Sequence, residues 1–477
     1  ATAYPAGTQR GHSHEVALVR KAVESLFLTI VASHPTRIPR LQGIAMSGHG
    51  PSVLLAGIDG TALSDLFTWQ DSDARSEEEA IRESFAGFDK GGSSYEGKAI
   101  RLFRRHPDLF TPGVKILYPK DYFSSLLTGR MSTDRSTAST IIFWDDQQMV
   151  WNPGATGIPS GFFPEVIEPW GESGRTGTVW SRSCGLPDGV PVYGGGIDAY
   201  SELLGVGAVS PGALVDGTGT STCLSIILPE TGNARAERQQ DQPGHKPSLP
   251  ARTDRHLLPG LRLRMETMSY TGGSLQWFLR LLGSSLAEAM ATMKPGPVAL
   301  LFLPYLLGER SPVWDAKASG VFAGLRSDTG RPELLAAIMQ GCAFGVRQNL
   351  EVLGSLGTVE GRVARDIMAV GGGAGNDAWL QMKADITGSR YLRPVYPEAA
   401  PLGAAMLAVF GREGIDPAEL AARFVRTEKT FEPVKAGKLR DSYNSLYGLY
   451  TDMYTRLRDT LLSLAELRDS ADPRINV

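Results

Sequence analysis

The sequence has little cysteine, little net charge and no long apolar run. Three cysteines among 477 residues cannot form a disulfide framework, which predicts a reducing compartment. Lys and Arg number 48 against 51 Asp and Glu, a net charge of −3, so the charge balance indicates neither a nucleic-acid nor a membrane-surface partner. No stretch approaches the roughly 18 consecutive apolar residues of a membrane span. These absences predict a cytoplasmic globular protein.

Motifs of common nucleotide and metal sites are also missing. The sequence has no GxxxxGK[ST] loop and no full GxGxxG, which disfavours P-loop NTPases and Rossmann dehydrogenases. No His/Cys cluster has metal-ligand spacing, and Cys184, Cys223 and Cys342 are scattered, as expected of structural thiols. The length suits two domains of ordinary size.

Glycine is abundant: 55 of the 477 residues are glycine, about 11.5%, where average usage is roughly 7%. Apolar runs at 190–194 and 213–216 predict strands, and helical spacing at 197–204 predicts a helix. Residues 91–97 are predicted as a Gly/Ser loop, and the polar, proline-bearing stretch 229–258 as an exposed loop. Strands and helices alternate along the chain, the pattern of an α/β protein.

Four glycine-rich turns are candidates for ligand contact. They are 194–198 (GGGID), 216–222 (DGTGTST), 272–277 (GGSLQW) and 371–376 (GGGAGN). Glycine lets a phosphate approach the backbone, whose N–H groups then donate to its oxygens together with nearby hydroxyls. Taken alone, each turn is a weak signal, because a single glycine-rich turn more often reflects plain backbone geometry than a ligand site. His49, between two glycines after a strand-like run, is the one histidine in a site-like setting, with an incidental loop residue as the alternative.

The order of several longer segments is more specific than any single turn. The segments are 44–52 (IAMSGHGPS), 69–71 (WQD) with Arg75, 120–122 (KDY), 127–129 (LTG), 133–134 (TD), 138–139 (AS), 303–312 (LPYLLGERSP), and 320–325 (GVFAGL) followed by 333–340 (ELLAAIMQ). In this order they resemble the FGGY family of carbohydrate kinases, over essentially the whole sequence.

The resemblance implies an α/β, two-lobed actin-like ATPase fold of the ribonuclease H type, with an ATP–sugar cleft between the lobes. It implies a sugar-binding domain over residues 1–208 and a nucleotide-binding domain over 209–477. The expected activity is ATP- and Mg²⁺-dependent phosphorylation of a hydroxyl of a pentulose, sugar acid or polyol. A xylulokinase-like activity is the first expectation and a gluconokinase-like activity the second. A catalytically silent nucleotide-binding sensor or scaffold is the alternative from another class.

Site residues follow from the resemblance position by position. Asp198 matches the catalytic base, which must accept the proton of the attacking hydroxyl; a helix N-cap is its alternative role. Expected sugar contacts are His49, Gly50, Pro51, Trp69, Asp71 and Asp198. The alternative for Trp69 and Asp71 is a surface loop with a half-buried indole. Expected nucleotide contacts are Gly219, Thr220, Ser221, Gly272, Gln276, Gly372, Gly373, Ala374 and Asn376. Glu309 and Arg310 are expected to form an internal pair that fixes a turn.

The sequence departs from the family pattern at three points. The family's first phosphate loop, DxGTTxxK, whose Asp holds the magnesium complex, does not appear, so the Mg²⁺ ligand is unknown. Either a leading segment is omitted from this sequence or the gene product has lost it. Gly50-Pro51 stands where many pentulose kinases have Met-His, and Ile197-Asp198-Ala199 replaces the GDN of xylulokinases. A homodimer is favoured only because dimers are common among soluble enzymes.

Overall fold

The computed structural model describes residues 9–10, 13–84, 88, 92–230, 253–293, 296–354, 366–396 and 398–469. The chain divides into two compact units. Unit 1 comprises residues 1–209, 230–262 and 399–424. Unit 2 comprises residues 210–229, 263–398 and 425–477. Each unit contains both strands and helices.

The strands are short, and most of them are buried on at least one face. In chain order they are β1 (Gln9–Arg10), β2 (Ser13–His14), β3 (Ile44–Gly48), β4 (Leu54–Ala56), β5 (Leu66–Phe67), β6 (Lys115–Leu117), β7 (Ser132–Asp134), β8 (Trp144–Asp145), β9 (Val150–Trp151), β10 (Glu165–Ile167), β11 (Glu172–Arg175), β12 (Pro191–Ile197), β13 (Leu214–Thr218), β14 (Thr222–Pro229), β15 (Asp254–Arg255), β16 (Leu261–Met268), β17 (Leu301–Leu303), β18 (Val321–Ala323), β19 (Asp366–Val370), β20 (Arg390–Pro394) and β21 (Thr427–Phe431).

The helices range from single turns to a long C-terminal element. They are α1 (Val16–Ser33), α2 (Arg75–Ser84), α3 (Tyr95–Arg105), α4 (Pro119–Thr128), α5 (Arg135–Ser139), α6 (Val179–Ser183), α7 (Asp198–Gly205), α8 (Gly272–Leu282), α9 (Leu286–Thr292), α10 (Arg331–Gly354), α11 (Asp377–Thr387), α12 (Ala400–Glu413), α13 (Pro417–Phe424) and α14 (Lys438–Asp469).

In unit 1, the sheet that carries the candidate site has the strand order β11-β12-β3. β12 pairs antiparallel with β11 and parallel with β3. Its residues are all buried, which is typical of a strand covered on both faces. Helices α4, α7 and α12 pack against this sheet. A hydrophobic core that includes Leu54, Tyr122, Trp180 and Val192 stabilises the unit.

In unit 2, strands β16, β14, β13, β19, β20 and β21 follow one another in a larger sheet. β13 and β14 form a hairpin, and β13, β19 and β20 run parallel. Helix α10 is buried along most of its 24 residues and packs against both α8 and α11. Its Ile338, Met339 and Phe344 lie in a large core with Trp379 of α11 and Tyr450 of α14.

The structure confirms the α/β class and corrects several boundaries. The predicted Gly/Ser loop at 91–97 is wrong at its end, because α3 begins at Tyr95, where the Ser94 side chain accepts a hydrogen bond from the Gly97 N–H. The strand predicted at 190–194 continues through the glycines to Ile197. Within the predicted loop 229–258, residues 231–252 lie outside the described residues, and 254–255 form β15.

The cysteines and the helices of the structure agree with what the composition predicts, namely free thiols and no apolar run of membrane-spanning length. Cys184, Cys223 and Cys342 are free cysteines, and burial raises the pKa of Cys184 to about 11 and of Cys342 to about 12. Such thiols are inert. Within the described ranges, no helix is both long and apolar enough to cross a membrane.

Candidate active site

Two parallel strands bring the predicted sugar-binding residues to one edge of a sheet. β3 and β12 pair in parallel, with Gly48 opposite Ile197. His49 and Asp198 directly follow these two strands, so the register places them side by side. In α/β sheets, ligands bind beyond the carboxyl ends of the strands. The register therefore gives this edge the position of a ligand site.

The glycine run before Asp198 is a requirement of the strand itself. Gly195 has φ +71°, and a Cβ there would lie 2.0 Å from the carbonyl oxygen of Met46 on β3. The register between the two strands shifts at this point, between Tyr193 and Gly196. No other residue fits such a backbone at such a distance. The run thus sets the direction in which Asp198 leaves the sheet.

Asp198 is the first residue of α7, and Ile197 is the N-cap. The Asp198 Oδ1 accepts a hydrogen bond of 2.8 Å from the Ala199 N–H. Its side chain reaches solvent, yet the protein around it removes much of its hydration. This desolvation raises the pKa of Asp198, opposed by the Ala199 hydrogen bond and by His49. A carboxylate with a raised pKa is a stronger base than an ordinary aspartate.

His49 is held in its position by a neighbour in the same loop. Its Nδ1 lies 2.7 Å from the Ser52 Oγ. Burial lowers the pKa of His49, and the charge of Asp198 acts in the opposite direction. The ring is consequently neutral at pH 7, with both donor and acceptor capacity.

Gly50 and Pro51 are fixed from two sides. A Cβ at Gly50 would lie 2.7 Å from the Tyr118 ring, so the close approach requires glycine. The carbonyl oxygen of Pro51 accepts a hydrogen bond of 3.1 Å from Lys98 Nζ. Lys98 is fully buried on α3, and burial lowers its pKa to about 8. Sequence reasoning missed Lys98, because no pattern distinguishes a buried lysine from a solvent-facing one on an amphipathic helix.

Trp69 and Asp71 occupy different environments. Trp69 is 45% exposed, so its indole face is available to a ligand. Asp71 is buried, and both carboxylate oxygens bind Arg101, at 3.0 and 2.7 Å. Burial is the largest single influence and acts to raise the pKa of Asp71, but the hydrogen bonds from Arg101 and the Asp73 N–H and the charges of Arg101 and Lys98 together lower it. The structure therefore gives Asp71 an internal partner that the sequence did not indicate.

Two further charged residues lie close to Asp198 in the fold: Lys120 contacts the strand before it, and Glu202 lies on the helix that it begins. Lys120 is fully buried, with Nζ 2.7 Å from Asp134 Oδ2 and 3.4 Å from the Gly194 carbonyl oxygen. Glu202 lies one turn after Asp198, and Asp198, Ala199 and Glu202 are the residues of α7 that are not buried. Burial, together with the charge of Asp198, raises the pKa of Glu202 to about 7. The i, i+4 spacing of two carboxylates was the available sequence signal.

In unit 2, three of the predicted nucleotide turns meet at Thr218–Thr220. The β13–β14 hairpin closes with the Gly219 N–H donating to the Ser221 carbonyl oxygen at 2.8 Å. The N–H groups of Thr271 and Gly273, at the start of α8, donate to the Thr220 carbonyl oxygen at 2.9 and 3.0 Å. Gly272 approaches so closely that a Cβ would lie 2.1 Å from the Gly219 carbonyl oxygen.

The third turn packs on the same hairpin. Gly371 has φ +75°, and a Cβ there would lie 2.7 Å from the Thr218 carbonyl oxygen. A Cβ at Gly373 would lie 2.6 Å from the Thr218 side chain. Parallel pairing of Gly217 with Val370 produces this approach. The three glycine turns of unit 2 are therefore neighbours.

The residues of these turns differ in their exposure to solvent and in their hydrogen-bond partners. Gly219, Thr220, Gly372 and Gln276 are exposed, whereas Ala374 is buried. Asn376 is the N-cap of α11, where its Oδ1 accepts a hydrogen bond of 3.0 Å from the Trp379 N–H.

Glu309 fixes its turn through backbone groups, since its Oε1 accepts hydrogen bonds from the N–H groups of Ser269 and Arg310.

Comparisons with known proteins agree with this architecture. The chain matches the N-terminal domain of the FGGY family of carbohydrate kinases over residues 8–205 and its C-terminal domain over residues 217–411. It is 27% identical to xylulose kinase of Bacillus subtilis over 94% of this chain and 90% of that protein. It is 23% identical to gluconokinase of Bacillus licheniformis, over 92% and 87%. The structure of a xyloylose kinase from Brucella ovis superposes with a TM-score of 0.82 at 27% identity, covering 95% of this chain and 93% of that chain.

The fold is the two-lobed actin-like ATPase fold of these kinases. The two domain matches together span well over half of the sequence, and the chain belongs to the FGGY family of carbohydrate kinases. It is a sugar kinase, and ATP and a sugar are its substrates. The family expected from the ordered sequence segments is confirmed.

Proposed function

We propose that this kinase transfers the γ-phosphoryl group of ATP to a hydroxyl of a pentulose, with xylulose as the first candidate. Unit 1 binds the sugar at the shared edge of β3 and β12, and unit 2 binds ATP at the glycine turns around Thr218. The observation that carries the proposal is the parallel register that puts His49 beside Asp198. Relatives named xylulose kinase support the choice of sugar.

Asp198 is the proposed base of the reaction. Its carboxylate accepts the proton of the attacking hydroxyl as that oxygen bonds to the γ-phosphorus. The bond between this phosphorus and the β–γ bridging oxygen breaks, and ADP leaves. Phosphoryl transfer needs little covalent help from a protein and depends on alignment and on charge stabilisation. Asp198 suits this task because its carboxylate is accessible and its pKa is raised by burial.

The remaining unit 1 residues are proposed to orient the sugar. The neutral His49 ring hydrogen-bonds hydroxyl groups, and the Trp69 indole stacks on the apolar face of the sugar. Gly50 and Pro51 shape the loop, which Lys98 holds at the Pro51 carbonyl. We assign Asp71 the task of fixing its segment through Arg101, since both of its oxygens bind that guanidinium.

In unit 2, the turns are proposed to hold the nucleotide. Gly219, Thr220 and Ser221 receive phosphate oxygens, and Gly272, Gln276, Gly372 and Gly373 line the remainder of ATP. Ala374 is buried and packs behind these turns, and Asn376 fixes the start of α11.

Magnesium is expected to arrive with ATP. In the part of the chain that the structure describes, no group of three or more His, Cys, Asp or Glu residues forms a metal cage. Mg²⁺ in kinases is bound by substrate phosphates with one or two carboxylates, and retains waters. The described residues thus form no such cage, and no step here depends on a protein site for Mg²⁺.

A sugar-acid kinase is the second candidate. It is supported by the similarity to a gluconokinase of Bacillus licheniformis. The negative charge of Asp198, and that of Glu202 in its ionised fraction, favours a neutral sugar over gluconate, because an anionic substrate would be repelled.

The test is sugar-dependent ADP release by the full chain with ATP and Mg²⁺. The panel contains xylulose, ribulose, gluconate and glycerol, with ATP alone as the blank. The expected result is the highest kcat/KM with a pentulose. A preference for gluconate or glycerol would overturn the choice of sugar. No stimulation by any sugar would overturn the proposed activity and favour a silent nucleotide-binding protein.

Location and assembly stay predictions. The free thiols are compatible with a cytoplasmic enzyme, which fractionation of the source cells would check. A homodimer would appear in light scattering as about twice the mass of the 51.3 kDa chain.

A further inference from the structure

A buried ion pair lies directly beneath the hairpin that is proposed to receive phosphate. Asp216 on β13 and Lys383 on α11 are each 1% exposed, and Lys383 Nζ lies 2.8 Å from Asp216 Oδ2. Lys and Asp are almost never fully buried unless they are paired, because removing charges from water is costly. Neither the proposed chemistry nor the sugar site uses this pair.

The pair is connected to the hairpin through the hydroxyl of Thr218. Lys383 Nζ donates to Thr218 Oγ1 at 2.7 Å, and Thr218 Oγ1 donates to Asp216 Oδ1 at 2.6 Å. Lysine has only donors and an ionised carboxylate only acceptors, so these two directions are fixed. Thr218, the last residue of β13, is thereby held by both charges.

The same logic sets the direction of a longer hydrogen-bond chain. Thr218 Oγ1 lies 2.9 Å from Thr222 Oγ1, which lies 2.8 Å from Thr271 Oγ1. A hydroxyl has one proton to donate, and that of Thr218 goes to Asp216. Thr222 must therefore donate to Thr218, and Thr271 to Thr222. The chain runs from the N-cap of α8, across the base of the hairpin, to the carboxylate of Asp216.

Thr218 is also the residue on which the third glycine turn packs. Gly371 approaches its carbonyl oxygen and Gly373 its side chain. Lys383 lies on α11, the helix that follows this turn. The ion pair thus contacts Thr218, which packs directly on the third turn and is connected through Thr222 to Thr271 at the start of α8.

We propose that Asp216 and Lys383 are positioning residues which, through the Thr218 hydroxyl, hold the three turns in the arrangement that binds the phosphates of ATP. This rests on the proposed function, which places ATP at these turns. Both carboxylate oxygens of Asp216 are engaged inside the protein, so Asp216 acts on the loop and does not contact the nucleotide. Loss of the link weakens nucleotide binding and leaves sugar binding unchanged.

Thr218→Val and Thr218→Ser form the matched test. Valine has nearly the shape of threonine without the hydroxyl, and serine retains the hydroxyl. Calorimetry gives the Kd for ADP, and steady-state kinetics gives KM for ATP, KM for the sugar and kcat. We expect Thr218→Val to raise Kd for ADP and KM for ATP about tenfold, the effect of one lost buried hydrogen bond. Thr218→Ser should remain close to the wild type, and KM for the sugar should not change in either variant.

The charges are tested by Asp216→Asn with Lys383→Met in one chain, which avoids leaving a lone buried charge. The control is Asp366→Asn with Arg390→Met, an exposed ion pair on β19 and β20 of the same sheet, with side chains 44% and 45% exposed. The buried double variant should weaken ADP binding at least as much as Thr218→Val, and the control should not change it.

Three outcomes separate the possibilities. A folded Thr218→Val variant with wild-type Kd for ADP would overturn the positioning role while the proposed function stands. An equal loss in Thr218→Val and Thr218→Ser would also overturn it, because the hydroxyl would not be the link. A wild-type chain that binds no ADP and has no kinase activity would overturn the proposed function and this role together.

Discussion

Two aspartates beside glycines, Asp198 directly after a buried strand and Asp216 within one, have different environments in the structure. Asp198, in unit 1, leaves β12 at the first residue of α7, and its side chain reaches solvent. Asp216, in unit 2, stays within β13, 1% exposed and paired with Lys383. Among the described residues, no cationic side chain forms an ion pair with Asp198.

The difference separates a carboxylate available for chemistry from one used for structure. An unpaired carboxylate whose pKa is raised by burial can accept a proton from a ligand. A carboxylate whose oxygens bind a lysine and a threonine cannot, because its acceptor capacity is used inside the protein. Neighbouring glycines are therefore a poor guide to which aspartate reacts; its partners decide.

The largest expected effect is that of Asp198→Asn. The amide cannot accept the hydroxyl proton, so we expect kcat to fall about 10²–10⁴-fold, the usual contribution of a general base. Sugar binding, measured by calorimetry, should persist. Near-normal turnover would show that Asp198 has only a structural role and would remove the contrast with Asp216.

Lys383→Met tests whether the buried Asp216 carboxylate needs its partner for the stability of the fold. The substitution leaves the Asp216 charge buried and unpaired, which costs about 3–5 kcal/mol of unfolding free energy. Asp216→Asn combined with Lys383→Met should recover much of that loss. Denaturant unfolding measures both, with Asp198→Asn as the comparison that should not lose stability. A small loss in Lys383→Met would mean that the pair is not desolvated.

The buried carboxyl of Glu309, in unit 2, gives a pH-dependent prediction. Burial raises the pKa of Glu309 to about 7 from its ordinary 4.5. The folded state therefore favours the protonated form, and this contribution to stability is full below pH 4.5 and is lost as the pH rises through 7. Glu309→Gln keeps an acceptor for Ser269 and Arg310. The Tm of this variant relative to the wild type should rise between pH 5 and pH 8; a constant difference would contradict the raised pKa.

The smallest expected effect is that of Arg390→Met, which breaks an exposed ion pair on the same sheet as Asp216. Arg390 and Asp366 are both about half exposed, and such pairs contribute about 0–1 kcal/mol. Arg390→Met should therefore change the unfolding free energy far less than Lys383→Met. Equal losses would show that burial does not distinguish the two pairs.

The sequence predicted well what depends on local pattern. The α/β alternation, the glycine turns at 216–222, 272–277 and 371–376, and the family follow from residues whose order is visible in the chain. The start of α3 was missed, because glycines at 91, 92 and 97 indicated a loop where Ser94 caps a helix.

Buried charge pairing was not predictable. The partners of Asp71 and Asp216 are Arg101 and Lys383, which lie 30 and 167 residues away in sequence. A single sequence does not show which of its lysines and arginines are desolvated, because that depends on tertiary packing. The sequence could therefore propose Asp71 as a site residue, but could not show that Arg101 already binds its carboxylate.

The separate roles of Asp198 and Asp216 are tested most directly by measuring kcat and KM for ATP, with a saturating pentulose, in two variants. One is Asp198→Asn and the other is Asp216→Asn with Lys383→Met. We expect the first variant to lose kcat with little change in KM for ATP, and the second to have a raised KM for ATP with a much smaller loss of kcat. The same kinetic change in both variants, or near-normal kcat in Asp198→Asn, would contradict the separation of chemistry from positioning.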